Sequence, residues 1–250
     1  MRSHRSLSVG SVIALALLAR TADARAQSQT AESRWVVDVG VGTAPSINGN
    51  VNSGAIGTLQ GQAVAILPNA YGDVYGTGIG LHFGGGYVCD DRSELRGVFT
   101  YQSADADLVR LGDIGPSSLY AQYSDYKSFG LDVGYRRYFG GGRAVRPYGE
   151  ASLGAAWVGR INVRFAAPQS NIVFNSTDFY DSTAAFTWNV TFGLLFRLAE
   201  RTDLNAQLGL RHVGGLSQVD QFAGSGLENI NNDTARLTFP ITVGVRFRFK

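Results

Sequence analysis

Arg211-His212-Val213-Gly214, with Ser217 and Glu228 downstream, holds an imidazole, a hydroxyl and a carboxylate within a short stretch of chain. Placed within hydrogen-bond reach of one another, such groups perform acyl transfer, the histidine activating the serine. The spacing opposes this: the second position after the histidine is Gly214, and Ser217 would have to fold back from a loop. His212 then reads as a polar aromatic at the end of a strand. Metal chemistry is not expected, because His82, His212 and Cys89 are scattered, whereas metal sites bring such ligands together. Asp178 and Asp181 read as solvated loop charges. Gly76-x-Gly78-x-Gly80 and Gly84-Gly85-Gly86 lack the following helix that a phosphate cradle needs, so they read as close-packing positions in a strand. No cofactor is implied. What remains is a set of charges that recur on one face of alternating segments: Asp38, Glu94, Arg96, Asp132, Arg136, Glu150, Arg197, Arg211, Arg246 and Arg248. Their chemistry is ion pairing.

The chain of 250 residues allows one barrel or sandwich. Charged residues make up 17%, below the globular average of about 25%, and glycine is abundant at 32 residues. A net charge of +2 without basic clusters excludes a nucleic-acid footprint. Arg2 and Arg5, an apolar stretch from Val12 to Ala19, and Ala24-Arg25-Ala26 have the order of a cleavable signal peptide over residues 1–26, with the mature chain at 27–250. The apolar stretch is shorter than the roughly 20 residues of a spanning helix. A single cysteine excludes an internal disulfide.

The elements that position the charges read as strands, because apolar and polar residues alternate with period two. Strands are expected over 35–43, 77–88, 93–102, 128–139, 146–158, 184–198, 203–213 and 236–249. Short turns at 89–92, 140–144 and 199–202 alternate with long polar segments at 44–76, 103–127, 159–183 and 214–235. Outer-membrane barrels have short periplasmic turns and long outer loops. The expected fold is all-β: an eight-stranded, antiparallel, up-and-down transmembrane β-barrel with both termini periplasmic.

Volume decides which face points outward. An eight-stranded barrel has an interior just wide enough for side chains, and the face with Val39, Phe99, Leu131, Phe192 and Val243 would overfill it. The face of glycines, carboxylates and guanidiniums therefore lines the lumen, inverting a soluble lipocalin-like arrangement. Asp38 is expected beside Arg246 or Arg248, and Glu94, Arg96, Arg136 and Glu150 are expected to group near the periplasmic end. Trp35, Tyr87 and Tyr138 near the short turns, and Tyr101, Trp157, Trp188 and Phe239 toward the loops, are expected to form interfacial girdles.

The final run Val243-x-Val245-x-Phe247-x-Phe249 resembles the C-terminal assembly signal of bacterial outer-membrane proteins, to which this chain adds Lys250. Pro147-Tyr148-Gly149-Glu150-Ala151-x-Leu153-Gly154 resembles the mid-barrel strand of the OmpA/OmpX/OmpW-like barrels. The resemblance implies recognition by the outer-membrane assembly machinery, contact with outer-membrane lipids and lipopolysaccharide, and a structural or surface-interaction role in adhesion, defence or envelope integrity. An OmpW-like likeness would imply a narrow channel for small or apolar solutes instead. The His212 segment loosely resembles the His-x-Ser-Asn signature of the outer-membrane lipid A deacylases, which would imply a surface hydrolase. The reading adopted from the sequence is a monomeric, non-enzymatic barrel with an ion-paired plug.

Overall fold

The computed structural model describes residues 34–140, 144–231 and 235–249. The signal-peptide reading, Gly141-Gly142 of one turn, and Lys250 lie outside these residues.

Eight strands form a closed ring: β1 (Trp35–Ala44), β2 (Gly78–Asp90), β3 (Ser93–Ala104), β4 (Tyr126–Tyr138), β5 (Val145–Val158), β6 (Thr183–Ala199), β7 (Thr202–Val213) and β8 (Ile241–Arg248). Each pairs antiparallel with its neighbour in sequence, and β8 closes the ring on β1 from Val36↔Arg248 to Thr43↔Ile241. The Phe249 amide donates to the Trp35 carbonyl at 3.1 Å, so both ends of the barrel chain lie at the rim with the short turns.

Alternation along β4 is complete: every residue from Tyr126 to Tyr138 switches between buried and exposed. Its exposed members include Phe129, Leu131, Val133 and Tyr135, and its buried ones Ser128, Gly130, Asp132, Gly134 and Arg136. Apolar side chains such as Val39, Phe83, Leu153, Phe192 and Val243 form an exposed outer belt. This is the inverse of a water-soluble barrel. Glycines make room inside: a Cβ on Gly84 would stand 2.4 Å from Nη2 of Arg96 and 2.8 Å from both carboxylate oxygens of Asp38.

The last strand departs from the sequence expectation. The segment expected over 236–249 divides into Arg236–Thr238, which pairs with β7 and with Ser46–Asn48, and β8 from Ile241. Pro240 sits at the break; it has no N–H for a ladder, while its carbonyl still accepts from the Gly209 amide at 3.1 Å.

The long connections fold into a second sheet over the far rim, in the order Ser217–Gln218, Thr177–Asp181, Ile161–Ala167, Ser117–Tyr123, Leu108–Ile114, Gln62–Ile66 and Ala55–Leu59. Gln60 (φ 48°) and Gly61 (φ 80°) make the two-residue hairpin turn between the last two of these strands, the conformation that matches strand twist. In this cap the apolar face turns inward. Leu111, Leu119, Ile161, Phe165, Phe179 and Leu227 share one core with Tyr126, Val158 and Val213 from the barrel strands, so the cap core runs into the outer end of the lumen.

Candidate functional site

The lumen is stratified, and the layer nearest the short turns is ionic. Arg246 Nη2 lies 2.6 Å from Glu94 Oε2, and the Tyr138 hydroxyl donates to the same oxygen at 2.6 Å while accepting from Arg246 Nη1. Arg96 binds Asp38, approaches Glu150 at 3.4 Å and stands 3.8 Å from Glu94. Arg136 donates to Glu150 from Nε and Nη2 at 2.8 and 2.7 Å and stacks 3.8 Å over the Tyr148 ring. His82 Nε2 is 3.2 Å from Asp38. Asp38, Glu94, Arg96, Arg136 and Arg246 are buried. Burying such charges singly costs several kcal/mol each; spread over strands on opposite sides of the ring, they compensate one another and fill the bore. Tyr138, Tyr148 and Leu195 add a small apolar cluster at the same end.

The middle layer is polar and looser. Asp132 accepts from Thr187 Oγ1 at 2.5 Å and from Arg211 Nη1 at 2.9 Å, and Arg211 also reaches Asn189 Oδ1 at 3.2 Å. Beside them is a cavity of about 110 Å³ lined by Thr100, Gln102, Ser128, Asn189, Gln207 and Thr242 among others.

The outer layer belongs to Arg236, which is 1% exposed. Its Nε donates to Ser46 Oγ at 2.8 Å, and its guanidinium lies 4.2 Å from the Tyr126 ring centroid and 5.6 Å from that of Tyr71. Tyr71 stacks on Tyr75, which meets Tyr126 edge-on, and this tyrosine cluster joins Arg236 to the cap.

Several expected placements are corrected. Asp38 is in register with Arg246, yet their side chains choose other partners, because Arg96 reaches Asp38 across the bore and Arg246 reaches Glu94. Arg248 pairs with Asp203 at 2.7 Å. Arg197 has the lumen parity of β6 but sits at the rim, exposed, donating to the Glu200 carbonyl at 3.4 Å, and so lies outside the network. Tyr138 faces the lumen rather than the interface, since its position has the inward parity of β4. The other aromatics lie on the outer surface: Trp35 and Trp157 are exposed, Tyr87, Tyr101, Trp188 and Phe239 half-buried, with Trp35 edge-on to Tyr87 at 5.3 Å.

His212 stacks on Trp188, centroids 5.4 Å apart, on the outer face. Ser217 donates instead to Thr183 Oγ1 at 2.8 Å, Glu228 accepts from the Gly226 amide at 3.1 Å, and His212 Nδ1 has no hydrogen-bond partner among the described residues. Backbone N–H groups around Glu228 hold its carboxyl below the usual range. Asp178 and Asp181 both pair with Arg160, at 3.1 and 2.9 Å. Among the described residues no group of histidine, cysteine and carboxylates could hold a metal ion. The residues not singled out from the sequence include Arg236, Asp203 and the three clustered tyrosines; Arg236 and Asp203 share the inward parity of their strands, whereas Tyr71 and Tyr75 come from a long loop with no such signal.

A closed transmembrane barrel whose long connections fold into a cap over one rim is the class of protein that this geometry defines. The sequence profile of the outer membrane protein beta-barrel domain matches residues 12–249, and the chain belongs to that family of outer-membrane barrels. Solved structures with similar backbones include neisserial surface protein A (15% identity, TM-score 0.48, covering 88% of this chain and all of that one). Others are the outer membrane protein OprG of Pseudomonas aeruginosa (14%, 0.44, 87% and 96%) and Ail, the attachment invasion locus protein of Yersinia pestis (13%, 0.40, 86% and 99%). No curated protein matches the sequence.

Proposed function

We propose that this protein is a non-conducting, non-enzymatic outer-membrane barrel whose folded cap is displayed outside the cell for surface interaction or envelope integrity. In this reading the rim with the short turns and both barrel termini faces the periplasm, after export on the cleaved segment 1–26. The outer apolar belt meets membrane lipids and lipopolysaccharide. Val243, Phe247 and Phe249 project from the outer face of the last strand's end, and with the half-buried Val245 they would offer the assembly machinery its signal. The barrel acts as a monomer.

The observation that carries the proposal is double occlusion of the bore. Guanidinium–carboxylate pairs cross it at one end, and the apolar core of the cap enters it at the other. Eight strands leave little room beyond that filling. Reconstitution into planar bilayers tests it: a silent membrane is expected, and discrete, reproducible openings would establish the channel reading, for which the cavity beside Asp132 would be the path. A hydrolase is disfavoured by the separate partners of His212, Ser217 and Glu228. Fatty-acid release from lipopolysaccharide that disappears in His212→Ala would reverse that.

A further inference from the structure

The outer belt has a hollow on the side of β5 to β8. Across the ladder, the outward-facing Leu194 is opposite Ala206, which is opposite Val243, and in the next row away from the short turns Gly149, Phe192, Leu208 and Ile241 follow one another. Ala206 is a short side chain among long ones. A groove of about 430 Å³ lies there, bounded by Phe139, Phe192, Leu194, Ala206, Leu208 and Val243 among others, with the inward-facing Gly193, Gln207 and Thr242 behind it. That is within the roughly 300–1,000 Å³ of sites that take small molecules. One wall is aromatic because Gly149 permits it: a Cβ there would stand 3.3 Å from the Phe139 ring and 3.6 Å from the Phe192 ring.

The strands beneath the groove end on arginine. Arg197 and Arg201 are exposed where the short turn joins β6 to β7, and Arg248 ends β8. The acidic residues beside them are Glu200 and Asp203; Arg248 takes Asp203 at 2.7 Å, while the Arg197 guanidinium donates to the Glu200 carbonyl at 3.4 Å. The Arg201 carbonyl accepts from the Arg248 amide at 2.9 Å, which ties the turn to the last strand. Leu194 precedes Arg197 by three residues and Ala206 follows Arg201 by five, about 10–17 Å at the usual rise of a strand. Tilt of the strands shortens this along the membrane normal, and one leaflet supplies about 15 Å of hydrocarbon. Arginines and groove therefore fall at the headgroup and acyl-chain levels of a single leaflet.

We propose that this groove is a binding site for one phospholipid with an anionic headgroup, an acyl chain lying over Ala206 between the aromatic wall and Val243, and its phosphate held by Arg197 and Arg201. Lipid is the occupant because the groove is apolar and continuous with the belt that faces the bilayer. A chain seated in the hollow gains contacts on several sides at once, which a chain on a smooth wall lacks. Guanidinium groups present paired donors to phosphate oxygens. The proposal rests on the orientation given above, in which the short turns face the periplasm and its phospholipid leaflet.

The test is native mass spectrometry of the full protein, purified from outer membranes in detergent, delipidated, and mixed with equal amounts of phosphatidylglycerol and phosphatidylcholine of the same acyl chains. One phosphatidylglycerol is expected to stay bound, at least about tenfold in excess over phosphatidylcholine, the equivalent of one charge-assisted hydrogen bond. Ala206→Phe fills the groove from the lipid side, and retention should be lost. In Arg197→Gln/Arg201→Gln the two lipids should be retained equally. Folding is checked by heat-modifiable gel migration, and Ala206→Leu is the groove-filling variant if Ala206→Phe does not fold. Undiminished retention in the groove-filling variant, or a wild type without preference for phosphatidylglycerol, overturns the proposal. A parallel mixture with lipopolysaccharide separates site from orientation: lipopolysaccharide retained in place of phosphatidylglycerol, and lost in the same variants, overturns the orientation and with it the phospholipid, whereas retention of neither overturns the groove.

Discussion

Arg246 and Glu94 meet at 2.6 Å although β1 and β2 separate their strands around the ring, so this ion pair spans the bore rather than a strand ladder. Glu94 is fully buried and also accepts from Tyr138. Glu94→Gln leaves Arg246 without a full counter-charge, and removing one partner of a buried pair costs about 3–5 kcal/mol. Urea unfolding in detergent should show a loss of that order. The double variant Glu94→Met/Arg246→Met should recover part of it, since no buried charge is then left unpaired and only the Tyr138 hydroxyl, which bonds both side chains, loses its partners. A double variant as unstable as the single one would show that the pair is not the unit of stability.

Gly193 and Tyr148 form a knob-and-hole contact on neighbouring strands: a Cβ at 193 would fall 2.3 Å from the tyrosine ring. The ring cannot retreat freely, because its hydroxyl bonds Asn205 and Gln207 at 2.7 and 2.8 Å and Arg136 stacks on its face. Gly193→Ala should therefore destabilise the barrel by about 1–3 kcal/mol, the usual cost of overpacking. The same substitution at Gly85, where nothing lies within 4 Å of the added carbon, should change the unfolding midpoint far less.

Phe179 is fully buried in the cap, edge-on to Tyr123 and near Phe222. Phe179→Ala removes about 3–5 kcal/mol of packing from a buried aromatic, and the loss falls on the cap rather than on the ring of β1–β8. Trypsin added to intact cells should then cut at the exposed Arg110 and Arg164 while the heat-modifiable barrel persists. Loss of the heat-modifiable band itself would show that cap and barrel fold as one unit.

Burial raises the phenols of Tyr75 and Tyr123 well above their ordinary range, with neighbouring tyrosine charge adding to the effect at Tyr123. The unfolded cap ionises its tyrosines at about pH 10, whereas the folded cap keeps these two protonated. The folded state then holds more protons, so stability falls as pH rises past that point, and below it these groups contribute no pH dependence. Tyrosinate absorbance should show a late-titrating set of phenols that is smaller by two in Phe179→Ala. Simple titration of every tyrosine near the ordinary value would contradict the buried placement.

How much of this was legible in the sequence depended on which rule governed each residue. Period-two alternation with short and long connections gave the eight barrel strands, because β4 and β8 obey one constraint along their whole length. Arg197 shows the limit: parity puts it inside, but at a rim there is no inside, and solvent takes the side chain. Partner choice was hidden as well. Ladder register sets Asp38 opposite Arg246, yet long arginines reach across a narrow bore to carboxylates on unpaired strands. The cap was missed although Ile161-x-Val163-x-Phe165-x-Ala167 alternates plainly. Its short strands are punctuated by polar residues and pair with segments far away in sequence, and no local pattern reports that.

Leu131 on β4 is 52% exposed on the outer belt, and its neighbour Asp132 is 1% exposed within the lumen. Lipid faces the first and protein the second, so one residue along the chain inverts the tolerance for charge. Leu131→Arg near the middle of the spanning strand should cost about 2–4 kcal/mol, the penalty for a guanidinium at membrane depth. Asp132→Asn should cost a comparable amount for the opposite reason, because Thr187 and Arg211 bond different carboxylate oxygens, of which the amide keeps one, and Arg211 loses its counter-charge. Unfolding titrations in phospholipid vesicles compare the two. In a detergent-free soluble protein only the Asp132→Asn loss would remain, since Leu131→Arg would then merely add a solvated charge.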